Sequence, residues 1–214
     1  MIDDPAPVRA VRAAVERTLD AAVLAFESTF EVLGPPFFRG TSTGCCDLRV
    51  PVVRGEVFFD PGEVPWPSAT RSAVLHGRTL WLGSPGAVPG GPPQWEALPV
   101  RGLAACDLVT LLWVRGVTTA VERPGEPGRF DVQADAATAA AHSPPDVAAS
   151  LREDTDTEPP VDVLRGSVLV GDGGAGIVRE VGLTFVGDPE RRVTLALRRT
   201  ARCAVEVPGA AGAG

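Results

Sequence analysis

Apolar residues recur at steps of three and four through Val8, Val11, Val15, Leu19, Ala22 and Phe26, the spacing of one helix face. Asp3 and Asp4 followed by Pro5 mark a start, because proline fits the first helical turn. The pattern predicts an amphipathic helix of about five turns. Its stripe requires a partner surface, and the face of a sheet is the one expected.

From Glu27 to Leu82 the period changes. STFEVLG, GCCDLRV, VRGEVFFD, TRSAVLH and GRTLWLG are short β-prone runs broken by turn residues, which predicts a meander. Gly77 supplies the turn of the hairpin between VLH and TLWLG. Residues 83–93, GSPGAVPGGPP, read as a mobile loop, after which QWEALP is expected to drop Trp95 back onto the core. Leu103, Leu108, Leu111 and Leu112 fit a helix between Gly102 and Gly116 that ends near Trp113. Val117–Glu122, a PGEPG turn and FDVQAD form the next hairpin. ATAAAH and PPDVAASLRE read as short helices, and REDTDTEPP as a charged loop. The last fifty residues or so return to period two at Val168 and Val170, Val181, Leu183 and Phe185, then Val193, Leu195 and Leu197. A final short strand is expected at Val205 and Val207. The organisation is one domain over 1–207, mainly antiparallel strands with a few helices, and a frayed tail over 208–214.

Composition narrows the partners. With 214 residues and 44% hydrophobic residues the chain can bury a core, and no run approaches the ~20 apolar residues of a membrane span. A net charge of −7 argues against nucleic acid, which needs clustered cations; the nearest cluster, Arg198, Arg199 and Arg202, reads as the solvent face of a strand. The chain has no Lys, Asn or Tyr and is rich in Ala, Gly, Pro and Arg, the mark of a GC-rich genome, as in a GC-rich bacterium. The acidic opening MIDDPAP shows no secretory signal, so the chain reads as cytoplasmic as written, or as periplasmic or cell-surface had an upstream signal been removed.

Candidate chemistry is sparse. Gly171-Asp172-Gly173-Gly174-Ala175-Gly176 satisfies GxGxxG after a strand, but a dinucleotide site needs a helix next, and IVREVGLTF alternates instead. A hairpin turn is the better reading. His76 beside a turn and His142 ending an alanine-rich helix stand in no constellation, and both are expected at the surface. Glu153, Asp154, Asp156 and Glu158 lack the central glycine and distal glutamate of a calcium loop. Cys45, Cys46, Cys106 and Cys203 have no metal spacing and read as buried thiols; a bridge between adjacent Cys45 and Cys46 is disfavoured because their side chains face opposite sides of a strand. No catalytic residue, metal ligand or cofactor is assigned.

The order of elements resembles the LppX/LprG lipoprotein family and, more remotely, the LolA carriers and the sensor domain of RseB. The resemblance is carried by the first helix running into STFEVLG, by TRSAVLHGRTLWLG with its glycine-rich loop and QWEALP, by LAACDLVTLLWV leading into VTTAVERPGEPGRFDVQAD, and by the closing meander. It implies an α+β fold in which one curved antiparallel sheet, a half-barrel, wraps around helices, with acyl chains or lipid held between them. It further implies a non-enzymatic protein with an apolar cavity for a lipid or other hydrophobic small molecule, bounded partly by loop 83–93. On that reading Phe58 and Trp81 from the strands and Leu111 and Leu112 from the middle helix line the cavity, although the pleat phase at Phe58–Phe59 is open. The alternative, from RseB, is a regulatory module whose concave face meets a protein partner; an enzyme of unrecognised type ranks last. Family members are exported and acylated on a cysteine after a signal peptide, whereas Cys45 and Cys46 follow GPPFFRGTSTG, which is no such signal.

Overall fold

In the computed structural model the described residues are 4–21, 23–34, 37–48, 52–60, 69–85, 91, 93–100, 108–145, 147–149, 151, 163–185 and 190–208. Pro5 starts helix α1 (Ala6–Leu19), which buries Val8, Val11, Ala14, Val15 and Thr18 along one face. The helix is shorter than its apolar stripe suggests. Leu24, Phe26, Ser28 and Val32 are buried on strand β1 (Leu24–Val32), so Phe26 belongs to a period-two element. Its position satisfies both periods, and the aromatic and β-branched residues that follow favour the strand.

The chain continues through β2 (Phe38–Asp47), β3 (Val52–Asp60), β4 (Ala69–His76), β5 (Thr79–Ser84) and β6 (Gln94–Pro99). It then passes α2 (Val109–Val114), β7 (Val117–Glu122), β8 (Arg129–Asp135), α3 (Ala136–Ala141), β9 (Val163–Val170), β10 (Val178–Phe185) and β11 (Arg191–Arg199). Residues 145, 147–149 and 151 are helical, as expected, and bury Ala148 and Leu151. The turn from β4 to β5 has Gly77 at φ +59°, and GDGGAG is a 3-10 turn between β9 and β10 with no α-helix after it. Leu103, most of loop 83–93 and the acidic run 153–158 lie outside the described residues.

The eleven strands among the described residues form one antiparallel sheet in the order β6-β5-β4-β3-β2-β1-β11-β10-β9-β8-β7. Two meanders thus meet where β1 pairs with β11, Phe26 opposite Leu197. The edges β6 and β7 are joined by residues 100–116 alone. A sheet this wide twists and curls rather than lying flat. It stays open: β6 and β7 do not pair.

The helices occupy the inside of the curl, on one half of it. α1 packs mainly on β7 and touches β9, β10 and α2, while α2 and α3 reach β7, β8 and β10. The Arg115 guanidinium donates two hydrogen bonds to the Glu16 carboxylate, at 2.8 and 2.9 Å, fixing α2 to α1. Thr18 Oγ1 donates to the Ala14 carbonyl and accepts the Val178 N–H at 2.8 Å, which ties the end of α1 to the start of β10. No described helix is long and apolar enough to cross a membrane.

Three expectations are corrected. Residues 201–207 form no strand, because past Thr200 the segment leaves the ladder and crosses the outer face of the sheet. Trp95 is on edge strand β6 and 37% exposed rather than in the core. Cys45 is no buried thiol: it is bonded to Cys203, 158 residues away.

Candidate functional site: an apolar groove on the concave face

Residues opposite one another in an antiparallel pair share a face. Phe26, Gly44, Gly55, Ala73 and Leu82 therefore make one inward row across β1–β5. Its middle carries almost no side chain. A Cβ at Gly44 would run into the Arg54 carbonyl oxygen, and one at Gly55 into that of Thr43, so close backbone approach requires glycine at both.

Larger residues flank this depression. Val53, Leu75 and Leu80 form one parallel row, joined by pairing, and Ser42 with Val57 forms the other. The result is an apolar groove of about 150 Å³ bounded by Phe26, Ser42, Val53, Val57, Leu75 and Leu82. Leu75 is buried, whereas Val57 is 36% exposed and opens the groove to solvent. The polar residues that line the groove itself are buried Ser42 and exposed Glu56. The buried hydroxyls of Ser28 and Ser42 are 2.8 Å apart, and exposed Arg71 is paired opposite Val57.

Of the residues expected to line a cavity, the structure brings Leu111 and Leu112 together and separates them from Phe58 and Trp81. Both leucines are buried in the hydrophobic core, which also takes in Phe26, Val53 and Leu75 of the groove, but neither leucine bounds the groove itself. Phe58 pairs with Thr41 and Thr70, and Trp81 with Val74 and Ala97, which places both on the outward face. Sequence reasoning passed over Gly44, Gly55, Ala73 and Leu82. The available signal was a glycine inside each of two adjacent strand patterns.

Cys46 is buried beside the groove row, in the row of Leu24 and Val53, and its thiol is pushed up to about 12 by burial, aided by the neighbouring Asp47 charge. It therefore stays protonated and unreactive at neutral pH. His76 is exposed at the end of β4, and exposed His142 caps α3 with Nδ1 2.9 Å from the Thr138 carbonyl. Among the described residues no three His, Cys, Asp or Glu side chains gather as metal ligands would.

On the outer face, the segment after β11, strands β2, β3 and β4 and Trp95 of β6 enclose a second, larger cleft of about 1090 Å³. Cys203 binds this strap to Cys45 on β2, and Arg54 Nη1 donates to the Ala204 carbonyl at 3.3 Å.

No protein-family model matches the sequence, and no curated protein matches it. Among solved structures, the chain is similar to the lipoprotein LppX of Mycobacterium tuberculosis, with a TM-score of 0.56 at 10% identity over 95% of this chain and 100% of that one. LprF from Mycobacterium bovis matches with a TM-score of 0.48 at 11% identity over 96% of this chain and 99% of that one. A LolA superfamily protein from Nitrosomonas europaea matches at 0.30 and 8% identity, over 90% and 91% of the two chains.

Proposed function

We propose, from the premise of an LppX-like fold, that this protein is a binding protein that takes an acyl chain or comparable apolar group into the groove of β1–β5. The observation that carries the reading is a mainly apolar inward surface, hollowed at Gly55 and Ala73, on the half of the sheet that the helices do not principally cover. A groove of ~150 Å³ with mainly aliphatic and aromatic walls has room for a ring-sized apolar group. A longer chain would continue past exposed Val57. There exposed Arg71 offers a charged partner to an acidic headgroup. No residue set on this surface suggests catalysis, so binding is the preferred role over an enzyme.

The Cys45–Cys203 bond favours a compartment outside the reducing cytoplasm, since disulfides persist in oxidising surroundings. That supports the periplasmic or cell-surface alternative.

Titration of a fluorescent fatty acid tests the proposal against wild type and Leu82→Trp, whose bulkier ring fills one end of the groove from a half-buried position. Saturable binding by wild type, weakened about tenfold or more by the substitution, is expected. Absence of saturable binding, or affinity indifferent to Leu82→Trp in a folded protein, would overturn it.

A further inference from the structure

The strap is held to the sheet in an unusual way. Thr200 N–H still donates to the Val23 carbonyl at 3.2 Å, but among the described residues no backbone hydrogen bond joins 201–207 to any strand. Its attachment is the Cys45–Cys203 bond and the Arg54 contact to Ala204. Burial nevertheless alternates along it: Cys203, Val205 and Val207 are half-buried, while Arg202, Ala204 and Glu206 are exposed. It is strand-like in pattern, and among the described residues its one backbone group with a sheet partner is the Ala204 carbonyl, which accepts from Arg54.

Those exposed residues form one wall of the outer cleft. The floor comes from Thr43, Arg54, Glu56, Ser72 and Val74, and Trp95 with Pro93 forms the far wall. The Trp95 indole lies across β5, its ring atoms 3.0–3.2 Å from where a Gly83 side chain would begin, so only glycine there lets the ring settle. One indole surface is thereby covered and the ring stays 37% exposed. Beside it Val74, although on the outward face, is already covered at 3% exposure, so the apolar surface that the cleft presents is the Trp95 ring.

We propose that this cleft is a peptide-binding groove, in which an extended segment of a partner protein pairs with backbone groups of the strap that make no ladder bond and sets an apolar side chain against the exposed face of Trp95. The pairing is β-augmentation, where main-chain hydrogen bonds supply affinity and alternate side chains supply selectivity. The volume, about 1090 Å³, is at the upper limit of small-molecule sites, ~300–1,000 Å³, and suits a chain segment better. The lining carries Arg54 and Arg202 against Glu56 and Glu206, two charges of each sign. This balance selects a segment of low net charge with alternating apolar residues and gives no advantage to a polyanion. The disulfide sets the width of the groove by fixing the strap wall.

The test is selection of displayed random dodecapeptides on the oxidised wild-type protein, followed by affinity measurement with the synthesised winners. Enriched peptides are expected to alternate apolar residues and to weaken about tenfold or more toward Ala204→Trp, which fills the groove from an exposed position, and toward Trp95→Ala. Cys203→Ser, which frees the wall, should weaken them as well. Leu82→Trp, on the concave face, should leave them unchanged, so this result stands or falls apart from the acyl-binding proposal. Failure to enrich any sequence, winners indifferent to Ala204→Trp, or displacement of the winners by a fatty acid at its own binding concentration would overturn the peptide groove.

Discussion

Leu111 illustrates how a residue's neighbours decide its role. It is fully buried among the α1 and α2 core residues, with Trp113 beside it packing edge-on to Phe185 at 5.8 Å between ring centroids. Leu111→Ala should therefore cost about 2–5 kcal/mol of stability in urea denaturation, the range for a leucine whose cavity only partly collapses. Affinity for an acyl probe under native conditions should be unchanged. Reduced affinity with unchanged stability would mean instead that Leu111 lines the ligand site. Its place on a helix was legible from leucine spacing, but a buried leucine and a pocket leucine look alike in sequence. Phe58 carries the same lesson for strands. Shifting the pleat by one residue exchanges its face with that of its neighbour, and only the pairing of Phe58 with Thr41 turns it outward.

Among the elements, the strap depends most on a single bond. Cross-linking residues this far apart restricts the unfolded chain, and loss of a natural disulfide costs about 2–5 kcal/mol. Cys203→Ser should lower the thermal midpoint accordingly and make the peptide bond after Arg202 more susceptible to trypsin in the native protein. A midpoint and cleavage rate equal to wild type would show that the strap is held by other contacts. This pairing was not readable beforehand: four cysteines allow three complete pairings, and adjacency of Cys45 and Cys46 excludes only one. The strand-like spacing of Val205 and Val207 was visible. Their lack of a ladder partner was not, since period two reports one buried face and says nothing about hydrogen bonds. The end of α1 was misplaced for a related reason, because Phe26 fits the helical step and the strand step equally.

At the scale of the whole molecule, local alternation made the strands and their hairpins legible, and the order of elements carried the resemblance to an LppX-like sheet. The junction of β1 with β11 left no local trace, because it joins segments about 170 residues apart in the chain. That junction places the glycine-lined rows of β2 and β3 and the helix-packed strands β7–β10 in one curved sheet, one half filled by helices and the other hollowed into a groove. The central claim is that this hollow half binds the ligand. Methyl NMR of valine- and leucine-labelled protein titrated with lauric acid tests it most directly. The account predicts saturable shifts at Val53, Val57, Leu75, Leu80 and Leu82, with Leu111, Leu112 and Val74 unmoved. Absence of saturable shifts, or shifts centred on Leu111 and Leu112 or on Val74, would contradict it.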